Sequence, residues 1–158
     1  MNWFQIILIA LFIYLGSIGS IVGNTIGWYT LGRPLVASLI VGLVLGDVQS
    51  AMVVGIPLQI MYMGNVTPGG AVAWDLSYAT YVGTAAAVVF GKGMDAAGLI
   101  GLATVFAGIG GLVGQLMWNV SYALNLPLNR IAQKYAEDGD TKHMFVPNVV
   151  YGQTIGFL

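Results

Sequence analysis

Apolar residues fill the chain in blocks that charge rarely interrupts. Residues 1–32, 48–74, 76–91, 96–129 and 143–158 contain no Asp, Glu, Lys or Arg. A bilayer core about 30 Å thick takes roughly 20 apolar residues as a helix, so the longer blocks predict membrane spans. Residues 4–27 are the first, bracketed by Trp3 and Trp28. At about 1.5 Å per residue such a helix reaches from one interface to the other, where Trp and Tyr anchor. No basic flank precedes it, and it outruns the roughly 7–15 residues of a signal core, so it reads as a permanent span. Gly19, Gly23 and Gly27 fall at a spacing of four, which we read as the ordinary glycine content of membrane helices.

The stretch from Arg33 to Gly70 differs. Its apolar content falls into two short pieces, 34–46 and 51–64, joined by Asp47-Val48-Gln49-Ser50. Neither piece can cross the core alone as a helix. Pro57 interrupts the second, and Asn65-Val66-Thr67-Pro68-Gly69-Gly70 stops it. Short segments broken by Gly and Pro predict re-entrant or discontinuous helices, because irregular backbone at membrane depth survives only against protein or water. Two tilted half-spans satisfy the same pattern.

Further along, residues 71–90 predict another span. Residues 96–129 are too long for one straight span and carry Gly108, Gly110, Gly111 and Gly114; they predict a kinked helix that continues along the interface through 125–135. Glu137-Asp138-Gly139-Asp140 reads as a solvated turn, and a last apolar segment starts at Pro147. If 34–64 returns to the side it left, Arg33, Arg130, Lys134 and Lys142 share one face and Lys92 lies opposite. The basic majority makes that face cytoplasmic and sends the N-terminus outward. The whole is an all-α, polytopic transmembrane protein, one membrane domain over 1–158, with a re-entrant or discontinuous helical segment around 34–70.

Composition narrows the function. Charged residues make up 7% of the chain, against about 25% in a soluble domain. A net charge of −1 leaves no footprint for nucleic acid. There is no cysteine, and His143 is the single histidine, which excludes thiol chemistry and a histidine metal cluster. No catalytic motif and no cofactor or metal site is legible, and His143 reads as a solvated loop residue.

What remains is polar side chains set among apolar segments. Asp47 and Asp75 are costly at membrane depth and ordinarily face a cavity or partner. Gln5, Gln49, Gln59, Asn65 and Thr67 are neutral hydrogen-bonding groups near the same breaks. Amides and carboxylates for hydroxyls, with an aromatic face such as Trp74 for the ring, suit an uncharged sugar. Plainer readings stand beside these. Asp47 caps the next helix, Asp75 lies at the interface, and Gln59 bonds a neighbouring helix. Asn65-Val66-Thr67 spells a glycosylation sequon, though too short a match to be specific.

The run Arg33-Pro34-Leu35-Val36-Ala37, then Gly42-Leu43-Val44-Leu45-Gly46-Asp47, Gly55-Ile56-Pro57-Leu58-Gln59 and Gly64, and finally Gly69-Gly70-Ala71-Val72-Ala73-Trp74-Asp75 resembles a known family. It is similar to the IIC permease subunit of the mannose/fructose/sorbose type in the bacterial sugar phosphotransferase system (PTS). Phe4-Gln5 and the segment 129–141 fit it more loosely. The resemblance implies a multi-pass subunit of the bacterial inner membrane that conducts a hexose or amino sugar. Its implied partners are a membrane IID subunit and the IIA and IIB phosphocarriers, in an oligomeric assembly, with phosphorylation by IIB and no phosphohistidine in IIC itself. It also implies substrate-binding roles for Gln5, Gln59, Asn65, Thr67 and Asp75. Two positions depart from the family pattern: Gln59 stands where a Glu is frequent, and Trp74 where a small residue or Pro is usual. Family members are longer, so the chain reads as the N-terminal part of an IIC-type domain. The competing expectations are a truncated, non-transporting assembly or regulatory subunit, and an unrelated small-solute permease.

Overall fold

The computed structural model describes residues 1–17, 20–64, 74–140, 143 and 145–152. Among these every regular element is helical: α1 Trp3–Gly16, the short α2 Gly23–Ile26 running into a π-helix Gly27–Leu31, α3 Pro34–Leu45, α4 Val48–Tyr62, α5 Leu76–Phe90 and α6 Ala96–Glu137, with a π-helical turn Val146–Tyr151. The expected all-α architecture is observed. Two compact units divide the chain, 1–115 and 116–158.

In the first unit the chain breaks where a single span was expected. A continuous helix over 4–27 does not form: α1 stops at Gly16, and Ser17 is extended, with ψ 157°. The cause lies in the serines and glycines. Ser17 Oγ donates to the Ile13 carbonyl at 3.0 Å and Ser20 Oγ to the Leu15 carbonyl at 2.8 Å. Both bonds satisfy last-turn carbonyls that would otherwise be orphaned at a helix end. Gly16 and Gly32 then meet backbone to backbone: a Cβ on Gly32 would stand 2.5 Å from the Gly16 carbonyl oxygen. Of the glycines spaced by four, Gly19 lies outside the described residues and a Cβ on Gly23 would meet nothing within 4 Å, but one on Gly27 would stand 2.6 Å from the Leu15 carbonyl oxygen, so Gly27 is not incidental. Trp28 is not an interfacial anchor, since it is 7% exposed, whereas Trp3 is 82% exposed.

After the π-helix the chain turns sharply. The axis of Gly23–Leu31 and that of Pro34–Leu45 differ by 75° across a short break. Pro34 sits in the first turn of α3, where its missing N–H costs nothing and its φ is preset. Gly46 ends α3 at φ 79°, and the N–H groups of Gly46 and Asp47 both donate to the Gly42 carbonyl. Asp47 caps α4, its Oδ1 accepting from Ser50 N–H at 3.0 Å, as the plainer reading of that residue expected. Helices α3 and α4 pair as a hairpin through small residues; a Cβ on Gly42 would meet Ala51 at 2.8 Å, and one on Gly55 would meet Ser38 at 2.6 Å. At about 1.5 Å per residue each arm is too short to cross a bilayer core. Pro57 does not interrupt the second arm as expected, because α4 continues through it to Tyr62.

Helix α5 is central. Ala79, Thr80, Tyr81, Thr84 and Ala87 are fully buried. One core cluster joins Val54 and Leu58 of α4 to Ala79 and Ala87 of α5 and to Leu99, Ala103 and Ala107 of α6. A second joins Ile9, Ala37, Val41 and Tyr81. Helix α6 alone is long and apolar enough to cross a membrane, with the bent pair as a second candidate, among the described residues. The kinked helix over 96–129 and the interfacial helix over 125–135 are assigned to this one helix, which has Pro127 inside it.

In the second unit, Gly139 at φ 70° and the Asp140 N–H donating to the Tyr135 carbonyl at 2.9 Å close the end of α6. The His143 ring stacks on Tyr135 with centroids 5.7 Å apart and pairs with Asp140 at 2.5 Å. In the acidic turn Glu137, Asp138 and Gly139 are exposed, as expected, and Asp140 is half-buried.

Candidate polar site around helix α5

Every break in a buried helix frees carbonyls and N–H groups that must find partners. Helix α5 supplies many of them from one face. Ser77 Oγ donates to the Gly16 carbonyl at 2.6 Å, holding the end of α1. Tyr81 Oη donates to the Leu31 carbonyl at 3.1 Å, holding the end of the π-helix. Ser38 of α3 and Thr84 share a hydroxyl hydrogen bond of 2.8 Å, both side chains fully buried. The row Ser77, Tyr81, Thr84 follows helical spacing along one face, so the sequence carried a signal for it. Sequence reasoning passed over it because hydroxyls are cheap in membrane helices, where they bond their own preceding turn. Thr80 does this, donating to the Leu76 carbonyl at 2.8 Å.

Asp75 opens α5 and is 0% exposed. Its side chain is enclosed by protein rather than open to solvent. Its Oδ1 accepts from Tyr78 N–H at 2.9 Å, an N-cap, and its Oδ2 lies 3.4 Å from Ser17 Oγ. A carboxylate at this position also meets the positive end of the α5 dipole. Asp75 thus lies where the end of α1 and the start of α5 meet.

The two glutamines lie elsewhere. Gln59 Oε1 accepts from Leu35 N–H at 3.2 Å, which satisfies one of the orphan donors in the first turn of α3. Gln5 Nε2 donates to the Val44 carbonyl at 2.8 Å, in the last turn of α3, while its Oε1 accepts from Asn2 N–H at 2.9 Å. Each glutamine therefore caps one end of α3 from a neighbouring helix. Their contact points are nine residues apart along α3, about 13 Å, so the structure does not bring Gln5 and Gln59 together. Asn65 and Thr67 lie outside the described residues.

Toward α6, Asp75 N–H donates to the Gly111 carbonyl at 3.4 Å, and the other contacts are close approaches at glycines. Gly83 abuts the backbone at Ala103 and Ala107, and Gly110 abuts the Tyr78 carbonyl. Gly111 abuts Trp74, and Gly114 abuts Asp75 and Tyr78.

Short helices, a bent break and a buried polar face together define a helical membrane protein with discontinuous segments. The family model described as the PTS sorbose-specific IIC component matches residues 3–158, and the chain belongs to that family. The mannose-specific EIIC component of Escherichia coli K12 is 29% identical over 136 residues, 86% of this chain and 47% of that protein. The fructose permease IIC component of Bacillus subtilis 168 is 32% identical over 110 residues, 68% of this chain and 39% of that one. A putative N-acetylgalactosamine permease IIC component 2 of E. coli K12 is 37% identical over 95 residues, 59% of this chain and 70% of that one. A cryo-EM structure of the mannose transporter ManYZ in complex with microcin E492 shares the fold, with a TM-score of 0.72 and 23% identity over 99% of this chain and 59% of that one. The chain spans about half the length of the mannose-specific relative.

Proposed function

We propose that the chain is the sugar-conducting part of a IIC permease in a phosphoenolpyruvate-dependent phosphotransferase system. It takes up a hexose or amino sugar and presents it to a IIB partner for phosphorylation. The observation that carries this reading is the fully buried Asp75, set where a broken helix end meets the start of α5. Discontinuous helices with polar groups at the break are how membrane carriers build a site at depth, and an ionisable side chain there is a functional candidate by default.

In this reading residues 1–158 belong to one multi-pass domain of the bacterial inner membrane. It works in an oligomer with a IID subunit, and with IIA and IIB as phosphate carriers. Asp75 accepts from sugar hydroxyls, and Asn65 and Thr67 add neutral hydrogen bonds from the segment before it. Gln59 and Gln5 act by holding the two ends of α3, and turn to substrate when α3 moves.

The test is Asp75→Asn in the full-length permease with its partner subunits. It is assayed for uptake of radiolabelled mannose, fructose, sorbose and N-acetylgalactosamine. Asparagine caps a helix as well as aspartate does, so Tyr78 N–H keeps its acceptor, and the change falls on the second carboxylate oxygen, which faces Ser17 Oγ. Uptake of the transported sugar should fall at least about tenfold, a transition-state loss of roughly 1.4 kcal/mol, with the melting temperature unchanged. Full uptake by the variant would sink the role of the carboxylate. No uptake of any of the four by the unsubstituted protein would sink the permease reading.

A further inference from the structure

We infer that the indole of Trp74 and the amide of Gln115 form a stacking subsite for a pyranose ring, on the α6 side of the α5 N-terminus. This rests on the permease reading above and assigns a further binding residue to it.

The geometry begins at Gly111. A Cβ there would stand 2.6 Å from Trp74 Cε3 and 3.4 Å from its Cζ3, so the indole lies against bare helix backbone. Trp74 is nevertheless 36% exposed, which leaves part of the ring open. Gln115 lies one turn beyond Gly111 on the same face of α6. Long helical side chains lean back over the preceding turn, which here is the turn that receives Trp74. The Gln115 Oε1 atom is buried and accepts no hydrogen bond among the described residues. A buried acceptor without a donor costs free energy, and in a native fold it calls for an explanation. Beside it, Gly114 admits Asp75, whose Cβ lies 2.6 Å from where a glycine side chain would begin.

The Trp74 indole and the Cβ of Asp75 thus pack on Gly111 and Gly114, and Gln115, whose amide oxygen lacks a donor, follows on the same stretch of α6. Each suits one part of a pyranose: the indole takes the apolar C–H face, and the amide oxygen takes a hydroxyl hydrogen. Terminal amide torsions are broad, so the Gln115 oxygen turns toward a ring stacked on Trp74 without moving the helix. Gln115 then gains in the bound state the donor it lacks in the empty one, which makes binding selective for sugars with a hydroxyl at that edge.

The experiment measures equilibrium binding of the same four sugars to the full-length permease in native membranes, with melting temperatures recorded in parallel. Trp74→Ala and Gln115→Leu should each weaken binding about tenfold, while Trp74→Phe stays within roughly threefold because a ring remains. Gln115→Leu should also melt no lower than the unsubstituted protein, since it deletes an acceptor without a donor. If a sugar binds and both Trp74→Ala and Gln115→Leu bind it as tightly, the subsite is refuted and the permease reading stands. If Gln115→Leu melts lower, the amide has a structural partner and the subsite is equally refuted. If none of the four sugars binds the unsubstituted protein, both readings fall.

Discussion

Alanine at Gly32 and alanine at Gly101 should move stability in opposite directions. At Gly32 the new methyl would lie 2.5 Å from the Gly16 carbonyl oxygen, 2.8 Å from Ser77 Oγ and 3.0 Å from the Trp28 carbonyl oxygen. Two of those atoms are backbone, fixed by the end of α1 and by the π-helix, so the methyl forces the two segments apart. Overpacking of that kind costs about 1–3 kcal/mol. Displacing Ser77 also endangers its 2.6 Å bond to the Gly16 carbonyl, worth about 1 kcal/mol net and more if the carbonyl stays buried without a donor. The total is about 2–4 kcal/mol. At Gly101, inside α6, a Cβ meets nothing within 4 Å, so only helix propensity counts, and alanine gains about 0.8–1 kcal/mol. Thermal unfolding of the two variants in the same detergent, followed by near-UV circular dichroism, reads the difference directly. Gly32→Ala should melt well below the parent and Gly101→Ala slightly above it. Equal melting temperatures would refute the claim that the α1 break is held by backbone contact at Gly16 and Gly32.

Two smaller tests probe the same physics. Ser38→Ala should cost about 1–2 kcal/mol by leaving the Thr84 hydroxyl buried without its partner, yet the double variant Ser38→Ala/Thr84→Val should cost less than the sum of the single changes; strict additivity in a denaturation cycle would show that the 2.8 Å contact carries no energy. At the tip of the hairpin, Asp47→Ala should destabilise α4 by about 1 kcal/mol while Asp47→Asn changes little, and equal losses in chemical denaturation would count against the cap.

The sequence disclosed elements where apolar length and breakers act locally. The two short pieces around Asp47 became α3 and α4 because their small residues and the Gly46–Asp47 turn belong to the pieces themselves. The span over 4–27 was misread because its break is only partly local. Ser17 and Ser20 bond carbonyls of the last turns of α1, but the Gly16 carbonyl takes its donor from Ser77 and the Leu31 carbonyl from Tyr81, contacts that connect residues 50 or more positions apart. Pro57 was misread for the opposite reason: a local breaker was overridden where α4 packs into the core through Val54 and Leu58. The glutamines illustrate a third limit. Their chemistry was legible, but that each would cap an end of α3 depends on which helices become neighbours.

A polar group at membrane depth has two possible reasons for being there, and hydrogen-bond accounting separates them. Ser77 and Tyr81 bond the ends of α1 and the π-helix, Gln5 and Gln59 bond the two ends of α3, and Thr84 bonds Ser38 within α3, so the fold itself accounts for them. Removing any of them should be felt first in stability. Asp75 is capped and bonded too, but a cap needs only a neutral acceptor, and serine or asparagine would serve. A carboxyl group rather than a neutral acceptor is more than that cap requires. Gln115 departs from the balance in the other direction, with an acceptor that the fold leaves without a donor. A buried carboxyl residue packed on Gly114 and an unmet acceptor at Gln115 lie along the same stretch of α6, and that is where binding should be sought rather than along the hydroxyl row.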